Sequence, residues 1–314
     1  MIGLKTGAHK LSRKIYSLLL TGILFTGASG CTGNSDGNSD ALFLLLAASL
    51  SDVSYFVEYD IVSGGQSVRC GSSFTVDKAV NGSTTKTLNP YDLRFYVSNV
   101  RFLVGNSEHA VTLPDDGAWQ YGNVALLDFE NATGNCTGTS AMNSTIHAKI
   151  PAGTYDGIAF DLGVSESMNQ LNNGTAPSPL NINQMYWSWS LGYKFTKIEF
   201  RATDATYTTQ LHLGSLDCGG DVSSNSCAKP YRSSIKIVGG FQPGFNKVTL
   251  DLNEALSGFN PSSGTRMGCM PMKPPAAGAS TAEELTECPK LLGTMGVDAT
   301  SGVATGSQSA FMSK

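Results

Sequence analysis

The chain has 314 residues and a mass of 33.0 kDa, enough for one large or two small domains. Only 15% of its residues are charged, 41% are hydrophobic and 35 are glycine, which excludes a helical bundle, a coiled coil and a disordered chain. From residue 31 onward 17 basic residues face 25 acidic ones, a balance that excludes nucleic-acid binding.

The remaining basic residues, Lys5, Lys10, Arg13 and Lys14, precede an apolar run from Ile15 to Ala28 and then Ser29 and Gly30. A charged region, a short apolar core and small residues at the cut predict a secretory signal peptide over 1–30. The apolar run is too short for a comfortable membrane span. Small residues directly before Cys31 resemble a relaxed bacterial lipobox, with Ala28 at the third position before the Cys. Cys31 is therefore expected to become the lipidated N-terminus of a membrane-anchored lipoprotein facing the periplasm or the cell surface. Residues 31–52 read as a tether: a polar stretch, then the apolar run Ala41–Leu50, about half a span long. That run either lies on the bilayer or caps the sheet that follows.

Residues 53–314 form the predicted β domain. Val53, Tyr55, Val57, Tyr59 and Ile61 alternate with mostly polar neighbours, the period of a half-buried strand. Similar runs cover Leu93–Val104, Val124–Phe129, Thr145–Ile150, Tyr155–Val164, Lys194–Ala202, Thr206–Leu213, Ser234–Val238 and Lys247–Leu252. Turn signals such as Asn81-Gly82, Asn173-Gly174 and Pro243-Gly244 separate them. About nine short strands predict an all-β fold, an antiparallel sandwich or barrel. The best helix candidate is Thr281–Leu292, with Glu283 and Glu284 at its positive end. The Gly/Ser/Ala-rich tail from Ser301 is expected to stay loose.

Apart from Cys31, the chain carries Cys70, Cys136, Cys218, Cys227, Cys269 and Cys288. An even set in an exported chain predicts disulfides. Local spacing favours Cys218–Cys227 and Cys269–Cys288, leaving Cys70 with Cys136. The rival, a thiolate metal site, lacks any Cys-x-x-Cys.

Ordinary catalytic machinery is not visible. The predicted β domain has no Gly-x-Ser-x-Gly elbow, Walker loop, His-Glu-x-x-His or dinucleotide fingerprint, and the acids show no spacing that nominates an acid/base pair. Three histidines follow the predicted cleavage point: His109, His147 and His212. The densest feature is Pro179–Phe195, which holds Met185, Trp187 and Trp189. In an extended backbone Trp187 and Trp189 share a face, as a stacked electron-rich pair or as a wall of the core.

Several segments carry a family resemblance. Asp92–Val100, Trp119-Gln120, Asn123–Glu130, Pro179-Leu-Asn181, Met185-Tyr-Trp-Ser-Trp189, Gly192-Tyr-Lys-Phe195, His212-Leu-Gly-Ser215 and Gly268-Cys-Met270 with Cys288 resemble the MbnP-like family. These are methanobactin-associated copper-binding proteins, also called metallo-mystery pair four-Cys proteins. The resemblance implies a secreted or periplasmic copper protein paired with a dihaem cytochrome c peroxidase-like enzyme of the MauG/MbnH type. In that system the haem partner oxidises a Trp to kynurenine, which helps bind copper. Carried to this chain, Trp187 and Trp189 are the oxidation candidates and His212 a metal ligand. Family members often have Asn-His where this chain has Asn169-Gln170, so His147 or His109 would have to complete the ligand set.

The expectation is thus a disulfide-stapled lipoprotein that binds copper, serves as the Trp-oxidation substrate of a haem partner, or both, and is not itself an enzyme. The rivals are a structural or adhesive surface lipoprotein that keeps the scaffold without a metal, and a hydrolase assembled only in the fold.

Overall fold

A computed structural model of the protein describes residues 51–82, 84–188, 191–218, 227–262, 268–269 and 282–314. The expected signal peptide, Cys31, the 41–50 run and Trp189 lie outside the described residues.

In chain order the first strands are Asp52–Ser63 (β1), Gln66–Ser67 (β2), Phe74–Lys78 (β3), Thr84–Val104 (β4), Ser107–Ala110 (β5), Gln120–Tyr121 (β6) and Val124–Asp128 (β7). Thr145–Pro151 (β8), Gly157–Leu162 (β9), Tyr186–Ser188 (β10), Gly192–Tyr193 (β11), Thr196–Ala202 (β12) and Thr209–Leu211 (β13) follow. The last are Leu216–Cys218 (β14), Cys227–Lys229 (β15), Ser233–Ile237 (β16), Lys247–Asp251 (β17), Gly268–Cys269 (β18) and Phe311–Ser313 (β19).

Two sheets dominate. The smaller runs β19-β17-β1-β2 with β8 also on β1, and the larger runs β16-β9-β4-β12-β13-β18. Their inner faces meet through aromatic rings. Tyr59 and Phe311 from the smaller sheet contact Phe95 and Phe160 from the larger, at centroid distances of 5.5–6.3 Å. Such edge-on pairs add to the large apolar area each ring removes from water. The fold is therefore a sandwich, and the barrel alternative is set aside. Most pairs are antiparallel as expected, but β1–β17 and β13–β18 are parallel. Long connections separate both pairs, so no hairpin forces an antiparallel return.

The period-two reading of β1 holds as far as Tyr59; beyond it Asp60, Ile61, Val62 and Ser63 are all buried, because both faces of the strand are covered there. β4 is the spine of the larger sheet. One edge pairs with β12 along its first half and with β9 along its second; the other edge takes β3, β7 and β5 in turn. The helix Ala282–Thr294 forms close to the predicted range. The tail is a correction. Phe311 is buried in the core, and backbone bonds from Asp251 to Ala310 and between Lys247 and Lys314 lock β19 in place. A three-residue strand behind a Gly/Ser run is too short to register as a pattern.

Three disulfides close: Cys70–Cys136, Cys218–Cys227 and Cys269–Cys288. Cys218 and Cys227 face one another across the β14–β15 ribbon. Cys269 on β18 ties the sheet edge to the 282–294 helix.

Candidate functional site

The site grows out of the point where β4 changes partner. Tyr96 donates its N–H to Phe195 and accepts from that of Gly163. The chain thus leaves the larger sheet at Gly163 and rejoins it at Phe195, with the Trp-bearing segment between. Two buried tyrosines anchor that excursion: the Tyr96 hydroxyl donates to Pro179 O and the Tyr193 hydroxyl to Leu180 O, each at 2.8 Å. Buried Asn169 braces the β10–β11 hairpin, donating to Leu191 O at 3.3 Å and accepting from Tyr193 N at 3.2 Å. Gly192 lies at φ +77°, and any Cβ there would collide with the backbone and side chain of Asn169. Only glycine suits that backbone and that gap.

Trp187 on β10 is half-buried, and its ring sits directly over Gly214. A Cβ on Gly214 would strike Trp187 Cζ3 and come within 2.7 Å of Tyr193 O. The missing side chain of Gly214 is the seat of the indole. Met185 is fully buried beside this hairpin.

Two residues before Gly214, His212 follows the end of β13 and donates its N–H to Cys269 O at 3.2 Å. Its ring is 5% exposed, and its Nε2 lies 2.8 Å from Glu199 Oε1. Burial is the largest influence on the imidazole and pushes its pKa below the ordinary value, against the pull of Glu199. Burial alone would raise Glu199, but His212 and Lys197 together hold its carboxyl down at about 2. A neutral imidazole beside a carboxylate carries its proton on Nε2 and leaves Nδ1 as the basic nitrogen. That is the tautomer of a metal-ligating histidine held by a carboxylate.

The carboxylate belongs to a longer string. Across β4 and β12, Asp92 stands opposite Glu199 and Arg94 opposite Lys197. Asp92 takes both Arg94, through Nε at 2.8 Å, and Lys197, while Lys197 also approaches Glu199 at 3.4 Å. Gln184, just before the Trp hairpin, accepts from Arg94 at 2.8 Å. On the other edge of β4, Asp128 faces Arg94. Burial raises Asp128 to about 7 in spite of Arg94. Sequence reading missed this string. Its signal was present as charges two apart, at 197 and 199 within one predicted strand and at 92 and 94 across the start of another, which period two puts on shared faces.

The other expected ligands lie elsewhere. His147 is exposed on β8 with its ring 4.7 Å from Phe56, and His109 is exposed on β5 near Tyr155. Neither strand borders β13. Among the described residues, the one group of three clustered ligand types is Cys70, Glu130 and Cys136. Its two sulfurs are bonded to each other, so it holds no thiolate. The structure therefore places His212 two residues from Gly214, the seat of Trp187, and leaves His147 and His109 on strands that do not pair with β13.

A sequence profile of the MbnP family matches residues 57–271. Among solved structures, MbnP from Methylosinus trichosporium superposes with a TM-score of 0.68 at 25% identity, covering 83% of this chain and 98% of that one. No curated protein sequence matches significantly.

Proposed function

Because the chain belongs to the MbnP family, we propose that it is an exported copper-binding lipoprotein whose site is built on His212 and a Trp oxidised by a dihaem partner of the MauG/MbnH type. The carrying observation is the buried His212–Glu199 pair beside the seat of Trp187 on Gly214.

Neutral imidazole suits copper, and a carboxylate on the far ring nitrogen fixes tautomer and orientation and raises ligand basicity. One imidazole does not make a site, and among the described residues no second histidine accompanies His212. An indole is a poor ligand, whereas kynurenine carries an aniline nitrogen and a ketone. Opening the C2–C3 bond of Trp187 or Trp189 consumes two equivalents of peroxide as oxidant and inserts two oxygen atoms, releasing water. Hydrolysis of the resulting formyl group then liberates formate. The protein supplies no oxidant; the haem partner would. The chain's own part is to hold the indole at the hairpin, present Nδ1 of His212, and keep Glu199 ionised behind it. Copper, once held, supplies the metal-centred chemistry, and the protein is a binding component and not an enzyme. Anchoring rests on Cys31, whose change to Ser should release the protein from the membrane fraction.

The test is to express the protein with and without a dihaem partner, map peptides over residues 180–200, and measure retained copper. Expected with the partner is a gain of one oxygen and loss of one carbon at a Trp, with copper retained and largely lost in His212→Ala. Unmodified Trp and no copper in both samples would overturn this reading and leave the metal-free scaffold standing.

A further inference from the structure

On the same larger sheet, a bulge opens a second polar cavity. The β4–β9 register slips between Ser98 and Arg101, and Asn99 takes φ +49° there. Bulges re-aim side chains in this way. The result is a cleft of about 410 Å³ whose lining includes Ser98, Asn99, Asn123, Asp161, Glu166 and Arg232. Its volume is in the range of small-molecule sites.

The polar groups in it are unevenly satisfied. Ser98 Oγ is completely buried with no hydrogen-bond partner. Arg232 places its Cζ over the Phe195 ring, 5.2 Å from the centroid, and donates its Nε–H to Val164 O at 2.9 Å. It makes no ion pair among the described residues. Burial pushes its pKa down, while Asp161 and Glu166 pull it back up, so both carboxylates share its field. Asp161 is already engaged by Asn99 Nδ2 at 2.9 Å and Arg101 at 3.6 Å. Glu166 is exposed and accepts one backbone N–H, from Cys227 at 3.4 Å.

We propose that this cleft binds a small zwitterion of the α-amino-acid type, its carboxylate on the guanidinium edge of Arg232 and its ammonium on Glu166. A stacked guanidinium with its edge donors unpaired is shaped for bidentate carboxylate recognition. The neighbouring Glu166 carboxylate, which accepts only one backbone N–H among the described residues, rejects an anion that brings no cation of its own. Ser98 Oγ supplies one more partner at the floor, where an unmet polar group is otherwise costly. The site is independent of copper.

Calorimetric titration of the mature chain with L-alanine, propionate and ethylamine tests it. L-alanine should bind saturably and about tenfold or more tighter than either half-ligand. Glu166→Gln, at an exposed position, should weaken L-alanine toward the level of propionate, while propionate itself binds better once the repelling charge is gone. Arg232→Gln should abolish both, and Arg232→Lys should restore part of the binding if the fold is intact by near-ultraviolet circular dichroism. Absence of saturable heat with L-alanine, equal affinity for L-alanine and propionate, or affinity unmoved by Glu166→Gln would each overturn the proposal.

Discussion

Glu199 joins His212 to Lys197 and Asp92, so its charge is worth more folded than unfolded. Its carboxyl is held at about 2, below the ordinary value near 4.3. The stability it contributes is complete above that ordinary value and is lost as pH falls toward about 2. Glu199→Gln should therefore cost about 1–3 kcal/mol at pH 7, shrinking as pH falls from about 4 toward 2; urea midpoints across that range measure it. Asp128 runs the other way. Burial raises it to about 7, so folding favours its protonated form, and that stabilisation fades as pH climbs through about 7. Asp128→Asn keeps an acceptor for Glu130 N–H, which Asp128 Oδ1 takes at 3.0 Å. The variant should flatten the fall of Tm between about pH 4 and about pH 7, with a larger gain at pH 8 than at pH 5. An unchanged profile in thermal melts at the two pH values would count against the buried-acid assignment.

Hairpin β10–β11 depends on gaps as much as on side chains. Gly214→Ala would drive a methyl into Trp187 and toward Tyr193 O, costing about 1–3 kcal/mol by overpacking. It should also expose the Trp187 indole, read as a red shift of its fluorescence in a Trp119→Phe, Trp189→Phe background. Nothing in Gly214 as a letter announced this role. The aromatic cluster and His212 stood out in the sequence because their residue types are rare and chemically loaded. Glu199 did not, because its tie to His212 follows from the β12–β13 pairing, which places Glu199 opposite Gln210. Alternation marks a strand but does not name its neighbour. The period of β1 was legible for the same reason that β19 was hidden. The former sustains alternation over many residues, whereas Phe311 is one ring behind a polar run.

Across the molecule the disulfides stand in for a charge-poor surface and many loops. Cys70–Cys136 spans 66 positions and Cys218–Cys227 spans 9. Restricting the unfolded chain scales with the logarithm of that span. Replacing the first pair by alanines should thus lower stability by about 2–5 kcal/mol, more than replacing the second; denaturant midpoints of the two variants give the order. The aromatic seam between the sheets carries a different consequence. Phe311 fills the space between Phe95 and Phe160, and β19 covers β17 beside β1. Strands from residue 52 to residue 313 must be present together before that seam closes, a topology of high contact order. While the chain is still being made, β17 has a bare edge and the core lacks a ring. The emerging polypeptide stays pliant, sticky and cleavable until residue 311 arrives, and its encounter with chaperones or proteases is decided in that interval.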